Sequence, residues 1–269
     1  MLLMREIGIS EDRSFLIDEK TTIMYVDQRR TAWSIFSHMK RLVDFSNYEN
    51  LPYLRGTYQV YLKAVAGAED YRYDLSVSND VLVQERLVCD TSVLISTEEE
   101  HLFVRKNGGN SFLKTSLSQC RSTGLRYSLM LHLNRRTQVM KDILIWSFLD
   151  FTKKDISFFG VTRDELVTIS RKMREIDGGI REISYDGKCD WLWIEFDDGT
   201  TLSQPKMSSE LVGCCWFFLT MIRQKGLLCI EYPEAVIPPS KLDVFEDEIK
   251  EYPFQVVVMT RSPVLAGLS

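Results

Sequence analysis

The sequence predicts an α+β fold, and three observations predict it. Between Thr57 and Lys106, apolar and polar residues alternate with period two in short runs, "TYQVYLKAV", "YRYDLSVS", "DVLVQERLVC", "TSVLIST" and "HLFVRK", separated by polar turns. Successive side chains of a strand point to opposite faces, so these runs read as an antiparallel meander with one buried face. Elsewhere apolar residues recur at three- and four-residue steps, the spacing of helices. Apolar residues make up 45% of the 269-residue chain and charged residues 26%. That is enough to bury a core, and it excludes a long disordered segment.

In chain order, "TTIMYVDQ" reads as a strand. Residues 28–45 follow as a helix, with Ala32, Trp33, Ile35, Phe36, Met39, Leu42 and Val43 at helical spacing. A strand and a helix therefore open the fold ahead of the meander. "GLRYSLMLHL" adds a strand, and "RTQVMKDILIWSFLDF" reads as a helix turning Val139, Ile143, Trp146 and Leu149 inward. These elements form a first domain, 1–155. The second, 156–269, is a smaller helix–hairpin–helix–strand half. It opens with a capping box, Thr162 and Glu165, that starts a helix ending at Asp177-Gly178-Gly179. In "IREISYDGKCDWLWIEFDDGTTLSQ" two Asp-Gly pairs separate alternating runs, which gives a hairpin or a three-strand unit. A helix over 209–225, a strand "GLLCIEY", a short helix over 240–250 and a strand "FQVVVMT" complete the chain.

The apolar run Leu211–Ile222 is the most hydrophobic stretch, and it contains adjacent Cys214 and Cys215. It is shorter than the roughly 20 residues a membrane span needs, and Arg223 closes it. Ser208 or Ser209 as N-cap, Glu210 in the first turn and Arg223 in the last define a buried soluble helix. Its thiols then serve packing, because an apolar surround disfavours the thiolate. The N-terminal "MLLMREIGIS" is interrupted by Arg5 and Glu6 before it can form an export signal. Six scattered cysteines form no disulfide framework, so the expected compartment is reducing, cytoplasmic or nuclear.

Chemistry is sparse. His38, His101 and His132 stand alone, without the spacing of a zinc site. Gly187-Lys188 lacks the upstream glycine of a phosphate loop. No metal and no cofactor are expected. The enzyme alternative is a metal-dependent phosphodiesterase or nuclease using carboxylates of the 182–198 hairpin: Glu182, Asp186, Asp190, Glu195, Asp197 and Asp198. Its pattern is incomplete. A lysine is wanted two residues after the glutamate, where Asp197 stands, and Asp190 and Glu195 fall on opposite faces of a regular strand.

Charge segregation is the stronger signal. From His101 to Lys141 there is no Asp or Glu, while Arg105, Lys106, Lys114, Arg121, Arg126, Arg135, Arg136 and Lys141 give the block a charge of +8. The whole chain is −5, so the remainder carries −13. Phe103, Phe112 and Tyr127 are interleaved, and "RKNGGNSF" supplies a Gly/Asn loop. Cations alternating with aromatics suit RNA, DNA, an acidic protein surface or anionic lipid. The competing account pairs the block with the chain's own acidic cluster, Glu246, Asp247 and Glu248.

The order strand, helix, meander, helix resembles helix-grip folds, and a strand pair before a Trp-bearing helix resembles pleckstrin-like modules. No diagnostic motif of either is present. The helix-grip likeness implies an apolar-ligand carrier as a third reading. The reading adopted is an intracellular binding, adaptor or regulatory protein using the 101–141 face. Nothing in the sequence fixes its oligomeric state.

Overall fold

The computed structural model describes residues 2–10, 13–25, 57–105, 111–119, 147–150, 156–224 and 226–267. The chain forms two compact units, one from residues 1–19 and 26–146, the other from 20–25 and 147–269. Strand and helix mix in it, with antiparallel sheet prominent, as expected of an α+β chain.

The first unit is built on one eight-stranded sheet. Strands β1 (Leu2–Ser10) and β2 (Arg13–Leu16) begin it, the next strand, β3 (Thr21–Tyr25), belongs to the second unit, and β4 (Tyr58–Ala66), β5 (Glu69–Ser78), β6 (Val81–Cys89), β7 (Ser92–Glu98), β8 (His101–Arg105) and β9 (Phe112–Ser116) follow. Their order is β2-β1-β4-β5-β6-β7-β8-β9, and every pairing is antiparallel. The meander is where the alternation puts it. Tyr71, Tyr73, Leu75 and Val77 are buried along β5, with Arg72, Asp74 and Ser76 between them on the wetter face. Strands β1 and β2, within the first sixteen residues, are not expected from the sequence pattern. Their alternation is broken by a bulge between Met4 and Glu6 and by an irregularity between Gly8 and Ser10.

The second unit holds two sheets. Strands β10 (Ser147–Asp150), β14 (Leu228–Glu231), β15 (Val256–Thr260) and β3 pair in the order β10-β14-β15-β3, all parallel. The three-stranded sheet β11 (Ile180–Asp186), β12 (Trp191–Phe196), β13 (Thr201–Ser203) is antiparallel. Two expectations are corrected here. The strand at 21–25 does not lead into the meander but pairs with β15, and residues 147–150 are a strand, not the end of a helix. Parallel pairing with β14 decides the latter, since tertiary context overrides local helical spacing. The expected helix at 28–45, the strand in "GLRYSLMLHL" and the rest of the helix in "RTQVMKDILIWSFLDF" lie outside the described residues.

Helix α1 (Arg163–Ile176) starts at the foreseen capping box: Thr162 Oγ1 accepts from Glu165 N at 3.3 Å and Thr162 N donates to Glu165 Oε2 at 2.7 Å. Helix α2 (Ser209–Arg223) is capped by Ser208, which accepts from Leu211 N. It buries Gly213, Cys214, Cys215, Phe217, Phe218 and Leu219, which pack with Ile194, Val256 and Val258 in one core. Ile222, expected inward, is 39% exposed in the last turn. Burial pushes the Cys214 thiol up to about 12 and raises Cys215 and Cys229 further, so these thiols stay protonated. Helices α3 (Leu242–Glu251) and α4 (Pro263–Ala266) flank β15 in sequence.

Candidate functional site

Of the eight cations proposed as a contact surface, Arg105 and Lys114 are in described strands, whereas Lys106, Arg121, Arg126, Arg135, Arg136 and Lys141 lie outside the described residues. Register brings the two together. Phe103 is opposite Lys114 and Arg105 opposite Phe112, so all four share one face of the β8–β9 hairpin. The Lys114 ammonium stands 5.5 Å from the centre of the Phe103 ring, a cation–π pair. The opposite face carries Leu102 and Val104, both fully buried.

The same face runs on across the sheet. Phe103 is opposite Ser96, Ser96 opposite Arg86, Arg86 opposite Asp74, and Asp74 opposite Tyr61. Two shallow concavities mark it. One of about 670 Å³ is lined by Tyr61, Arg72, Asp74, Arg86 and Asp90 among others, and one of about 530 Å³ by Gln84, Arg86, Ser96, Glu98, Phe103 and Phe112 among others. Arg72 is held by Asp74 at 3.1 Å and lies 5.7 Å from the Tyr61 ring centre. Lys63 binds Glu6 at 2.8 Å, and with the Tyr61 hydroxyl it holds that carboxyl down at about 2. Arg86 is exposed and has no ion-pair partner among the described residues. Sequence reading missed Lys63, Arg72 and Arg86 because they lie outside the acid-free block. Their signal was the alternation itself, which sets Arg72 and Arg86 on the polar side of runs read only for their apolar side.

A second arrangement lies at the carboxyl ends of the parallel strands, where ligands of open α/β sheets bind. After β14, Tyr232 takes a left-handed backbone (φ 53°, ψ 56°), unusual for a residue with a Cβ. Its amide donates to Met259 O at 2.8 Å. Thr260 Oγ1 donates to Glu234 Oε2 at 2.9 Å and Arg261 N to Glu234 Oε1 at 2.7 Å, so one carboxylate ties the loop after β14 to the loop after β15. The Arg261 guanidinium lies 4.5 Å from the Tyr232 ring centre and reaches its hydroxyl at 3.4 Å. Burial raises the Tyr232 phenol more than Arg261 lowers it. A phosphate loop needs glycines and a Lys-Ser/Thr pair between a parallel strand and a helix. The sequences after these strands, "VDQRRTAWS", "FTKKDISFFG", "YPEAVIPP" and "RSPVLAGL", contain no such pattern. The ends of β14 and β15 are occupied by the chain's own ring, guanidinium and carboxylate.

Four of the six hairpin carboxylates have structural partners. Asp190 sits in a left-handed turn (φ 57°) and accepts from Tyr185 Oη at 2.8 Å and Ser157 Oγ at 2.7 Å. Glu195 pairs with Arg181 at 2.8 Å, while Asp186 and Asp198 accept turn amides from Lys188 and Thr200. Among the described residues no three His, Cys, Asp or Glu side chains are grouped to hold a metal ion. None of the described helices is long and apolar enough to cross a membrane.

No protein-family model matches the sequence, and no curated protein pairs with it. Solved structures do match. The SMC head domain from Thermotoga maritima has a TM-score of 0.55 at 12% identity, over 99% of this chain and 92% of that one. Its fold is SMC-head-like. An SMC head bound to the C-winged helix domain of ScpA matches at TM-score 0.52 and 10% identity, over 98% and 92% of the two chains. An SMC head with an extended coiled coil, bound to the C-terminal domain of ScpA derived from Pyrococcus furiosus, matches at 0.54 and 8%, over 99% and 92%. This likeness replaces the helix-grip and pleckstrin-like ones drawn from element order.

Proposed function

We propose that this SMC-head-like chain is a binding protein, an adaptor or regulatory factor of the cytoplasm or nucleus. Its contact surface is the positive segment 101–141 together with the sheet face that continues it. Nucleic acid is the ligand of choice, because ring faces between cations accept stacked bases while the cations meet phosphates. One observation carries the reading: strand register sets Arg72, Arg86 and Lys114 on one wet face with Phe103 and Phe112. Two of the similar SMC heads carry a bound ScpA domain, which supports a protein as the alternative occupant; the positive charge of the face favours an acidic one. Anionic lipid is the third polyanion of this class.

The test is titration of labelled RNA, labelled DNA and anionic vesicles at two salt concentrations. The proteins compared are the wild type, Arg135→Glu with Arg136→Glu, and Arg86→Glu with Lys114→Glu. Phosphate contacts predict a logarithmic salt slope of about −0.7 to −0.9 per phosphate neutralised, and both double variants lower slope and affinity together. Absence of binding by the wild type at low salt removes the polyanion version and leaves the acidic protein partner. Hydrolysis through the 182–198 hairpin is disfavoured because Asp186, Asp190, Glu195 and Asp198 are already engaged within the fold. Asp190→Asn and Glu195→Gln are expected to leave any Mn²⁺-dependent cleavage of phosphodiesters unchanged.

A further inference from the structure

The outward face of the three-stranded sheet carries two tryptophans that the fold leaves partly open to water. Along β12 the inward residues Leu192 and Ile194 are fully buried, while Trp191 and Trp193 between them are 40% and 37% exposed. A strand needs no tryptophan there, since threonine or valine satisfies an exposed β position without offering water an indole. Large aromatic side chains left open on a rigid sheet are the residues that anchor protein interfaces.

The surroundings of this pair carry a definite charge. Glu182 of β11 stands directly opposite Glu195 of β12, beyond Trp193, and Asp186 stands opposite Trp191 at the other end. Like charges facing each other across a ladder cost stability, and here one cation, Arg181, pairs with Glu195, while Glu182 has no ion-pair partner among the described residues. Ser184, small and exposed, and Ser203, buried, flank Trp193 on the two neighbouring strands, so the room beside the indole lies on the β11 side. The stripe from Glu195 to Trp191 is four residue steps of strand, about 13 Å, with functional side chains every second residue, about 6.6 Å apart. An extended peptide presents alternate side chains at that same spacing.

We propose that this stripe is a docking surface for an extended basic polypeptide segment carrying Arg or Lys at alternate positions. The indole faces of Trp191 and Trp193 take the cations, and Glu182, Glu195 and Asp186 neutralise them. Trp is the best ring for a cation–π contact, and the carboxylates select against nucleic acid and against acidic chains. The surface is separate from the cationic sheet face, so either can fail alone.

The experiment uses the full chain and a labelled Arg-Ser-Arg-Ser-Arg-Ser-Arg peptide read by anisotropy, with the Glu-Ser counterpart and a labelled oligonucleotide as controls. The wild type is expected to bind the basic peptide and not the acidic one. Trp191→Thr with Trp193→Thr is expected to weaken binding at least tenfold, and so is Glu182→Lys alone, a substitution on an exposed side chain that keeps the test valid if the double variant fails to fold. Unchanged affinity in Glu182→Lys, or no peptide binding by the wild type at low salt, overturns the proposal. So does an equal loss in Glu246→Gln with Asp247→Asn and Glu248→Gln, which signals diffuse attraction to an acidic protein. Loss of oligonucleotide binding instead of peptide binding in the tryptophan variant also overturns it.

Discussion

The two sheets of the second unit solve the same problem in opposite ways. Strands β14 and β15 are buried at every position, so the centre of the parallel sheet is covered on both faces and meets a ligand only at its strand ends. Strand β12 buries alternate residues only, and its other face keeps Trp191 and Trp193 in contact with water. Beyond the last residues of β14 and β15, polar side chains gather in the Glu234, Tyr232 and Arg261 network. In the antiparallel sheet they are spread along the strand. The difference teaches where function can reside: at the rim of a sandwiched sheet, and across the surface of a half-covered one.

The largest effect is expected where the covered sheet is broken. Val258 is 1% exposed, and Val258→Asp places an unpaired carboxylate among Ile230, Phe218 and their neighbours. Its cost is above about 4 kcal/mol, enough to prevent folding, measured as loss of the cooperative transition in urea. Phe218→Ala empties a 2% exposed site of the same core and is expected to cost about 3–5 kcal/mol by the same measurement.

A smaller effect belongs to helix α1, which serves both sheets. Ser170 in it accepts from Ile183 N of β11 at 2.9 Å, and Glu165 at its start is gripped by Arg223 of α2 at 2.7 and 2.9 Å. The guanidinium holds the Glu165 carboxyl at about 2, below its usual 4.5. A lowered acid favours the folded state above its unfolded pKa and loses that contribution as pH falls through the folded one. The clasp therefore stabilises above about pH 4.5 and fades toward pH 2. Melting temperatures of wild type and Arg223→Gln are expected to differ at pH 7 and to converge near pH 2.5. A last effect sharpens the contrast of the sheets: Trp193→Thr is expected to cost about 1 kcal/mol, well below Phe218→Ala, because Trp193 is 37% exposed where Phe218 is 2% exposed.

These expectations also mark what the chain disclosed before folding. Period-two alternation made β4 to β8 legible, and the capping box located α1 to the residue. Helix α2 was readable from its caps, Ser208 and Arg223. Parallel pairing was not legible, because strands buried on both faces carry uniform apolar runs that name no partner. "FQVVVMT" says strand, and nothing in it says that Val258 pairs with Ile23 across more than two hundred residues. The candidate surface was half legible for the same reason. Local composition flagged Arg105 and Lys114, but only register sets Arg72 and Arg86 beside them.

That distant pairing bears on how the molecule is made. Strand β3 is synthesised more than two hundred residues ahead of its neighbour β15, so on the ribosome the segment 21–25 waits for all of that intervening chain before its backbone finds this mate. The second unit consequently cannot be cut out as residues 147–269. Such a fragment leaves the β15 edge bare, an invitation to join another chain. Fusing residues 20–25 through a short linker to its C-terminus is the way to close that edge, and a fragment so rebuilt is expected to stay monomeric where the plain one aggregates.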